Sequence, residues 1–344
     1  MRPKLLYIYP SRSTFVIKDL KSLSLEYNVE EMIFAPKAKW MLPLVMFEQF
    51  VKLLFTRNYH VIVCQFGGYH SFVPALFKRL FGKKLIIVVG GYDAVALPHI
   101  HYGGFQNKWM RKALVYSYSN ADLILPVHHS LMHSTQHYSS EAPMHQGIQH
   151  FIPQLKTSFI EIPNGYRAEQ WPMDTSKVRE KICITVAGGL GEQRRFILKG
   201  IDMVMSAAEK LPDFKFIIIG GEVQHTLKNV EFVNEVKNEA LSSYFNQAMI
   251  YLQLSLSEGF PNALCEAMLS GCIPVVSKIA AMPTIVGEEG YIIEKKDVDL
   301  LVSAIQQIPN VHSVEKKVRV RNRISAQYTE DHRTKELLKA IAKA

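Results

Sequence analysis

Four cysteines, Cys64, Cys183, Cys265 and Cys272, are spread over 344 residues without a C-x-x-C pair. That spacing excludes a zinc ribbon or a disulfide framework and suits reduced core thiols in a cytoplasmic protein. No H-E-x-x-H run and no G-x-S-x-G turn occurs, and no cysteine has a plausible histidine partner. The common metalloprotease and nucleophile chemistries fall away with them. Long apolar runs are also missing. Residues 5–9 are too few for a secretory signal and read as a first strand. Residues 40–55 are the most apolar stretch, yet they include Pro43, Glu48 and Lys52 and are too short to span a bilayer. They read first as an amphipathic core helix and second as a helix lying on a membrane surface. Without a zinc finger or an RNA-binding sheet signature, nucleic acid is not an expected partner.

What is present is globular: 48% hydrophobic and 21% charged residues, in a length that suits two domains. The net charge of +9 is uneven. Residues 1–170 hold 18 Lys and Arg against 10 Asp and Glu, and residues 171–344 hold 22 against 21. A basic first half suggests an anionic partner, either a membrane surface or a diphosphate-linked acceptor. Short apolar runs at 5–9, 61–64, 85–89, 123–126 and 159–162 alternate with helical patterns. A second series follows at 182–187, 214–219, 250–254, 273–276 and 290–293. The alternation predicts an α/β protein of two Rossmann-like domains, each with a parallel sheet covered on both faces. The boundary is placed after the Pro163-Asn164-Gly165-Tyr166 turn, before the polar stretch 174–179. This gives a first domain at 1–170, a second at 171–325, and a terminal helix at 326–344.

Ligands of such sheets sit beyond the carboxyl ends of the strands, so the loops that follow strands matter most. One runs Gly188-Gly189-Leu190-Gly191-Glu192-Gln193-Arg194-Arg195 and leads to Lys199-Gly200 at an expected helix start. A lysine there opposes the helix dipole unless an anion compensates it, which points to a diphosphate clamp completed by Arg194 or Arg195. Arg194 stands where a dinucleotide fingerprint needs its third glycine, so a nicotinamide enzyme is not expected. The other loop runs from Ser257 through Glu258-Gly259-Phe260-Pro261-Asn262-Ala263-Leu264 to Glu266-Ala267-Met268. Pro261 suits a first helical turn. The N–H groups of Asn262, Ala263 and Leu264 are then free for a phosphate or sugar oxygen, and Gly259 permits close approach. Glu258 and Glu266 supply two carboxylates for sugar and ribose hydroxyls.

These segments resemble the GT-B-fold retaining glycosyltransferases of family 4, the glycosyl transferases group 1. Glu258-x7-Glu266 with Ala267-Met268 is similar to that family's E-x7-E motif, Lys199-Gly200 to its KG, and Pro163-Asn164-Gly165 to its PNG. The resemblance implies two Rossmann-like domains facing each other across a cleft, with 1–170 binding the acceptor, 171–325 binding the nucleotide-sugar, and the helix at 326–344 returning to the first domain. It also implies retaining transfer of a sugar from a nucleotide-sugar to a glycan or lipid-linked oligosaccharide, without cofactor or metal, in cell-surface polysaccharide biosynthesis. Glu258, Lys199 and Arg194 become the catalytic candidates. Arg195, Gly189, Gly259, Phe260, Asn262, Ala263, Leu264 and Glu266 become donor-binding candidates. Two departures stand out: residues 10–15 lack the family's glycine turn, and Gly90-Gly91-Tyr92-Asp93 occupies a loop where many members carry histidine. Asp93 is the catalytic candidate there. The alternatives are a sugar-nucleotide epimerase and an inactive binding protein of a synthesis complex. His129, His133 and His137 are expected to share a polar helix face. His99 and His101 fall in a loop near the acceptor side, and the basic run 316–323 reads as a solvated helix face.

Overall fold

The computed structural model describes residues 2–55, 58–176 and 178–344. Lys177, in the polar stretch after the turn, lies outside the described residues.

The first sheet contains β1 (Lys4–Tyr9), β2 (Asn28–Ile33), β3 (Val61–Gln65), β4 (Lys84–Val89), β5 (Leu123–Pro126) and β8 (Ser158–Phe159) in the order β2-β1-β3-β4-β5-β8. A small antiparallel hairpin, β6 (Ser134–Thr135) and β7 (His145–Gln146), sits outside it. The second sheet contains β9 (Glu180–Val186), β10 (Lys215–Ile219), β11 (Val230–Val233), β12 (Ala248–Gln253), β13 (Ile273–Ser277) and β14 (Tyr291–Ile293) in the order β11-β10-β9-β12-β13-β14. All neighbours in both sheets are parallel. The central strands are apolar over most of their length because helices cover both faces. The edge strand β2 is polar and largely exposed, and the edge strand β11 is four residues long, so the sequence announces neither.

In the first half, α2 (Leu42–Phe55), α3 (Tyr69–Phe81) and α4 (Lys108–Asn120) cover the face formed by Leu6, Ile8, Ile62 and Ile87. The opposite face, with Leu5, Tyr7 and Tyr9, packs on α1 (Thr14–Leu23) and on α13 (Glu330–Lys343). The short α5 (Ile148–Phe151) closes this half. The second half adds α6 (Gln193–Leu198), α7 (Ile201–Lys210), α8 (Asn238–Gln247), α9 (Asn262–Leu269), α10 (Met282–Val286), α11 (Val298–Val311) and α12 (Val314–Gln327).

The chain crosses between the halves twice, and the crossings touch. Tyr166 N–H donates to Tyr328 O at 2.9 Å, and Glu330 N–H to Tyr166 O at 3.1 Å. A Cβ at Gly165 would sit 2.7 Å from Glu330 Cα, so the approach requires glycine. Arg321 joins the outgoing crossing to the second half, donating to the carbonyls of Ala168, Trp171 and Leu269. With Arg323 donating to Thr284 O and Ile285 O, the basic run on α12 is stitching rather than the solvated face expected from sequence. Arg333 anchors the returning helix. It forms a bidentate pair with Asp19 at 2.9 and 2.8 Å and donates to Ile162 O and Pro163 O, all in the interior.

A buried pair held by four guanidinium hydrogen bonds is costly to break from one side. Asp19→Ala should lower stability by about 3–5 kcal/mol, read as an earlier urea midpoint. Adding Arg333→Met should recover part of the loss. A single-variant midpoint equal to wild type would show that the pair does not hold α13.

Candidate active site

Lys199 and Glu258 are 59 residues apart, and the backbone brings them together. The Lys199 loop is fastened to the segment after β12. Leu256 N–H donates to Leu198 O at 2.8 Å. Gly200, at φ +69°, lies so near Leu254 that a Cβ would meet its carbonyl oxygen at 2.2 Å. Lys199 Nζ then reaches Glu258 Oε1 at 2.5 Å. Ser255 Oγ and Gln253 Nε2 donate to the same oxygen at 2.8 and 3.1 Å, and Tyr251 OH orients Gln253 at 2.8 Å. The pair remains open to solvent, with side chains 21% and 13% exposed. One expectation is corrected here. Lys199 is the C-cap of α6 as well as the residue before α7, so α6's negative end faces it and the dipole effect changes sign.

Beyond Glu258 the chain turns into α9. Pro261 is the N-cap rather than the first helical residue. The N–H groups of Asn262, Ala263 and Leu264 have no acceptor within the helix, which leaves a cluster of donors beside Glu258. The side chains of this loop are otherwise engaged. Asn262 Oδ1 accepts from Tyr166 OH at 2.7 Å and from Asn164 Nδ2 at 3.1 Å. The Phe260 ring is buried against Tyr166 and Tyr328, and Leu264 is fully buried. As donor-site candidates, Phe260, Asn262 and Leu264 therefore offer main chain, not side chain. Glu266 is buried, and burial pushes its carboxyl up to about 7 against the pull of Lys18. Lys18, from α1 of the first half, donates to Gly165 O at 3.0 Å and lies over the Tyr166 ring. Burial lowers its own pKa, with Glu266 opposing.

The first half supplies the facing wall. Gly259 meets Gly90 so closely that a Cβ would fall 1.8 Å from Gly90 O, and Gly91 sits beside Gly259 N. Asp93, a catalytic candidate by sequence, is corrected to a structural residue. It is 2% exposed, and its carboxylate accepts from the N–H groups of Gly67, Gly90 and Gly91 and from Tyr118 OH. With its lone pairs occupied and its oxygens out of reach, it shapes the two glycine turns that form the wall. Tyr102 lies between the halves. Burial raises its pKa, reinforced by the Glu258 charge and opposed by Arg195.

The two arginine candidates diverge. Arg194 pairs with Glu192 at 2.7 Å and reaches across to His101 O at 3.4 Å. Arg195 lies along Gly189, whose φ of +78° opens the loop, and is the arginine whose charge reaches Tyr102. The histidine expectation fails. His129 is in a single 3-10 turn and His133 and His137 follow outside any helix, so the three share no face. His128, His129 and Glu161 lie close enough to share an ion, but Glu161 already accepts from both the N–H and Nδ1 of His129. Reading the sequence missed Lys18, Tyr102, Gln253 and Ser255. Lys18 sits in an ordinary helix and Tyr102 in a loop without a motif. Gln253 and Ser255 carry one available signal, polar residues closing an otherwise apolar strand.

A carboxyl whose folded pKa lies above its unfolded value favours the fold most at low pH. Glu266 should therefore contribute stability below about 4.5 that is lost as pH rises through about 7. The Tm of wild type minus that of Glu266→Gln should fall between those pH values. A difference that stays constant with pH would remove the buried, uncharged Glu266.

Residues 183–310 match the family model of glycosyl transferases group 1. The chain is 22% identical over 281 residues to a phosphatidylinositol N-acetylglucosaminyltransferase component of Arabidopsis thaliana, covering 76% of this chain and 58% of that protein. It is also 22% identical over 244 residues to an uncharacterized 41.2 kDa protein in the cps region of Klebsiella pneumoniae, covering 67% of this chain and 65% of that one. It thus spans less than two thirds of either relative. Among solved structures, sucrose-phosphate synthase from Thermosynechococcus elongatus superposes with a TM-score of 0.74 at 14% identity, covering 99% of both chains. Anabaena HepE in complex with UDP and glucose gives 0.72 at 13%, covering all of both. Residues 183–310 are thus similar to the glycosyl transferases group 1, within a chain that has the GT-B fold from end to end.

Proposed function

We propose that this chain is a retaining glycosyltransferase of family 4. It moves a sugar from a nucleotide-sugar donor to a glycan or lipid-linked acceptor, without a metal ion, in cell-surface polysaccharide biosynthesis. The observation that carries the reading is Lys199 at 2.5 Å from Glu258, directly before the free N–H groups that open α9. As the bond to the donor sugar breaks, negative charge grows on the leaving diphosphate. Lys199, Arg195 from the preceding turn, and the α9 amides offset that charge more strongly in the transition state than in the bound donor. Fixed cations and amides take the place a divalent ion holds elsewhere. Three donors hold Glu258 in one orientation, so it addresses a sugar hydroxyl without being drawn away. Glu266, two turns further on, is assigned to the ribose by the E-x7-E resemblance. Retention and family 4 membership follow from the E-x7-E and KG resemblance. The solved HepE complex contains UDP and glucose, the ligand class proposed here. The pathway follows from family habit and from the relative in the cps region.

Screening nucleotide-sugars for thermal stabilisation should identify one that raises the Tm and is slowly hydrolysed. With that donor, Glu258→Gln should lower transfer by about a hundredfold or more while circular dichroism remains that of wild type. Full transfer by this variant, or no nucleotide-sugar that stabilises the protein, contradicts the reading.

A further inference from the structure

The helices on one side of the first sheet carry a surface that the fold leaves unused. Between residues 32 and 120 the chain has eleven Lys and Arg and two Asp and Glu, so this segment matches the whole chain's balance of +9. One acid, Asp93, is buried, and the other, Glu48, is paired with Lys52 at 2.6 Å. The segment contains α2, α3 and α4, which pack side by side on the same sheet face. Neither α3 nor α4 has an acidic residue.

Ten of the fourteen residues of α2 are Leu, Val, Met or Phe, yet only Leu53 among them is buried. Trp40, Leu44, Phe47, Val51 and Phe55 recur every three or four residues and form one stripe from the turn Lys39–Met41 along the helix. Trp40, Leu44, Phe47 and Phe55 are 72%, 59%, 68% and 85% exposed. Lys37 and Lys39 lie just before the stripe, both exposed. On α4, Trp109 is 67% exposed with Lys112 over its ring. Beside it a groove of about 710 Å³ has Arg79, Lys108, Arg111 and Lys112 along its walls and Phe105 and Val115 among its apolar lining. Core packing accounts for Met46, Phe50, Leu53 and Leu54 of α2 but not for the exposed stripe. A run of cations without free acids, next to exposed tryptophans, matches an interface with anionic headgroups on one side and acyl chains on the other.

We propose that α2 and α4 form a docking face for an anionic lipid bilayer. The α2 stripe enters the boundary between headgroups and acyl chains, Trp40 and Trp109 sit at headgroup level, and the α4 groove receives a headgroup. The face is separate from the Lys199–Glu258 pair, so docking is measured without turnover. Only its purpose, bringing a lipid-linked acceptor to the cleft, rests on the proposed reaction.

Flotation of the whole protein with phosphatidylcholine vesicles, with and without phosphatidylglycerol, tests this. Wild type should float only with the anionic vesicles at about 50 mM NaCl and be released at about 500 mM. Trp40→Ser with Phe47→Ser should weaken binding about tenfold or more, as should Lys108→Glu with Arg111→Glu. Both variants should keep the wild-type Tm and the wild-type thermal shift with nucleotide-sugar. Absence of flotation at low salt, or variants that bind as wild type, overturns the proposal. So does a wild-type dimer that vesicles do not capture and that the Trp40/Phe47 variant splits, because the stripe would then face a second copy. Flotation of a protein that no nucleotide-sugar stabilises supports docking and contradicts the reaction.

Discussion

A single ion pair, Lys199 with Glu258, organises the cleft, and the rest of the second half is arranged to make it. Neither side chain could find the other across 59 residues without the backbone contacts between 198–200 and 254–256. Gly200 is needed there on two grounds, its left-handed backbone and the missing Cβ that lets Leu254 approach. The pair is then framed by Ser255 and Gln253, so the carboxylate has one orientation before any ligand arrives. Pre-set orientation of this kind lets an electrostatic site act without reorganising during the reaction.

The first half contributes shape more than charge at this point. Its two glycine turns, held by the buried Asp93, lie against Gly259 and leave no room for a side chain at the contact. The charge of Lys18, from α1, acts on the other carboxylate, Glu266. The two halves therefore share one site, and their relative position matters for it. The paired crossings at Tyr166 and Tyr328, with Arg321 on one side and Arg333 on the other, set that position.

Much of this is legible in the sequence, for physical reasons. Buried parallel strands are continuous apolar runs, so the central strands of the two sheets stand out, while the polar, exposed β2 and the four-residue β11 do not. The Glu258–Glu266 segment and Lys199 are legible because a glycine, a proline and charged residues at fixed spacing have few other uses. Three-dimensional proximity is not. The sequence shows Asp93 as an acid in a cleft loop, and only the fold shows four donors closing around it. Lys199 reads as a helix start because α6 is too short to register as a helix of its own. The basic run of α12 reads as solvated because the backbone carbonyls that Arg321 and Arg323 serve lie far off in the chain.

The account stands on Lys199 meeting a diphosphate, and calorimetric titration measures this directly. A panel of nucleoside diphosphates and the matching monophosphates would be titrated into wild type and Lys199→Ala. The account predicts that the tightest diphosphate loses about tenfold to a hundredfold in affinity, while its monophosphate, lacking the charge that Lys199 addresses, loses little. A diphosphate that binds Lys199→Ala as tightly as wild type would contradict it.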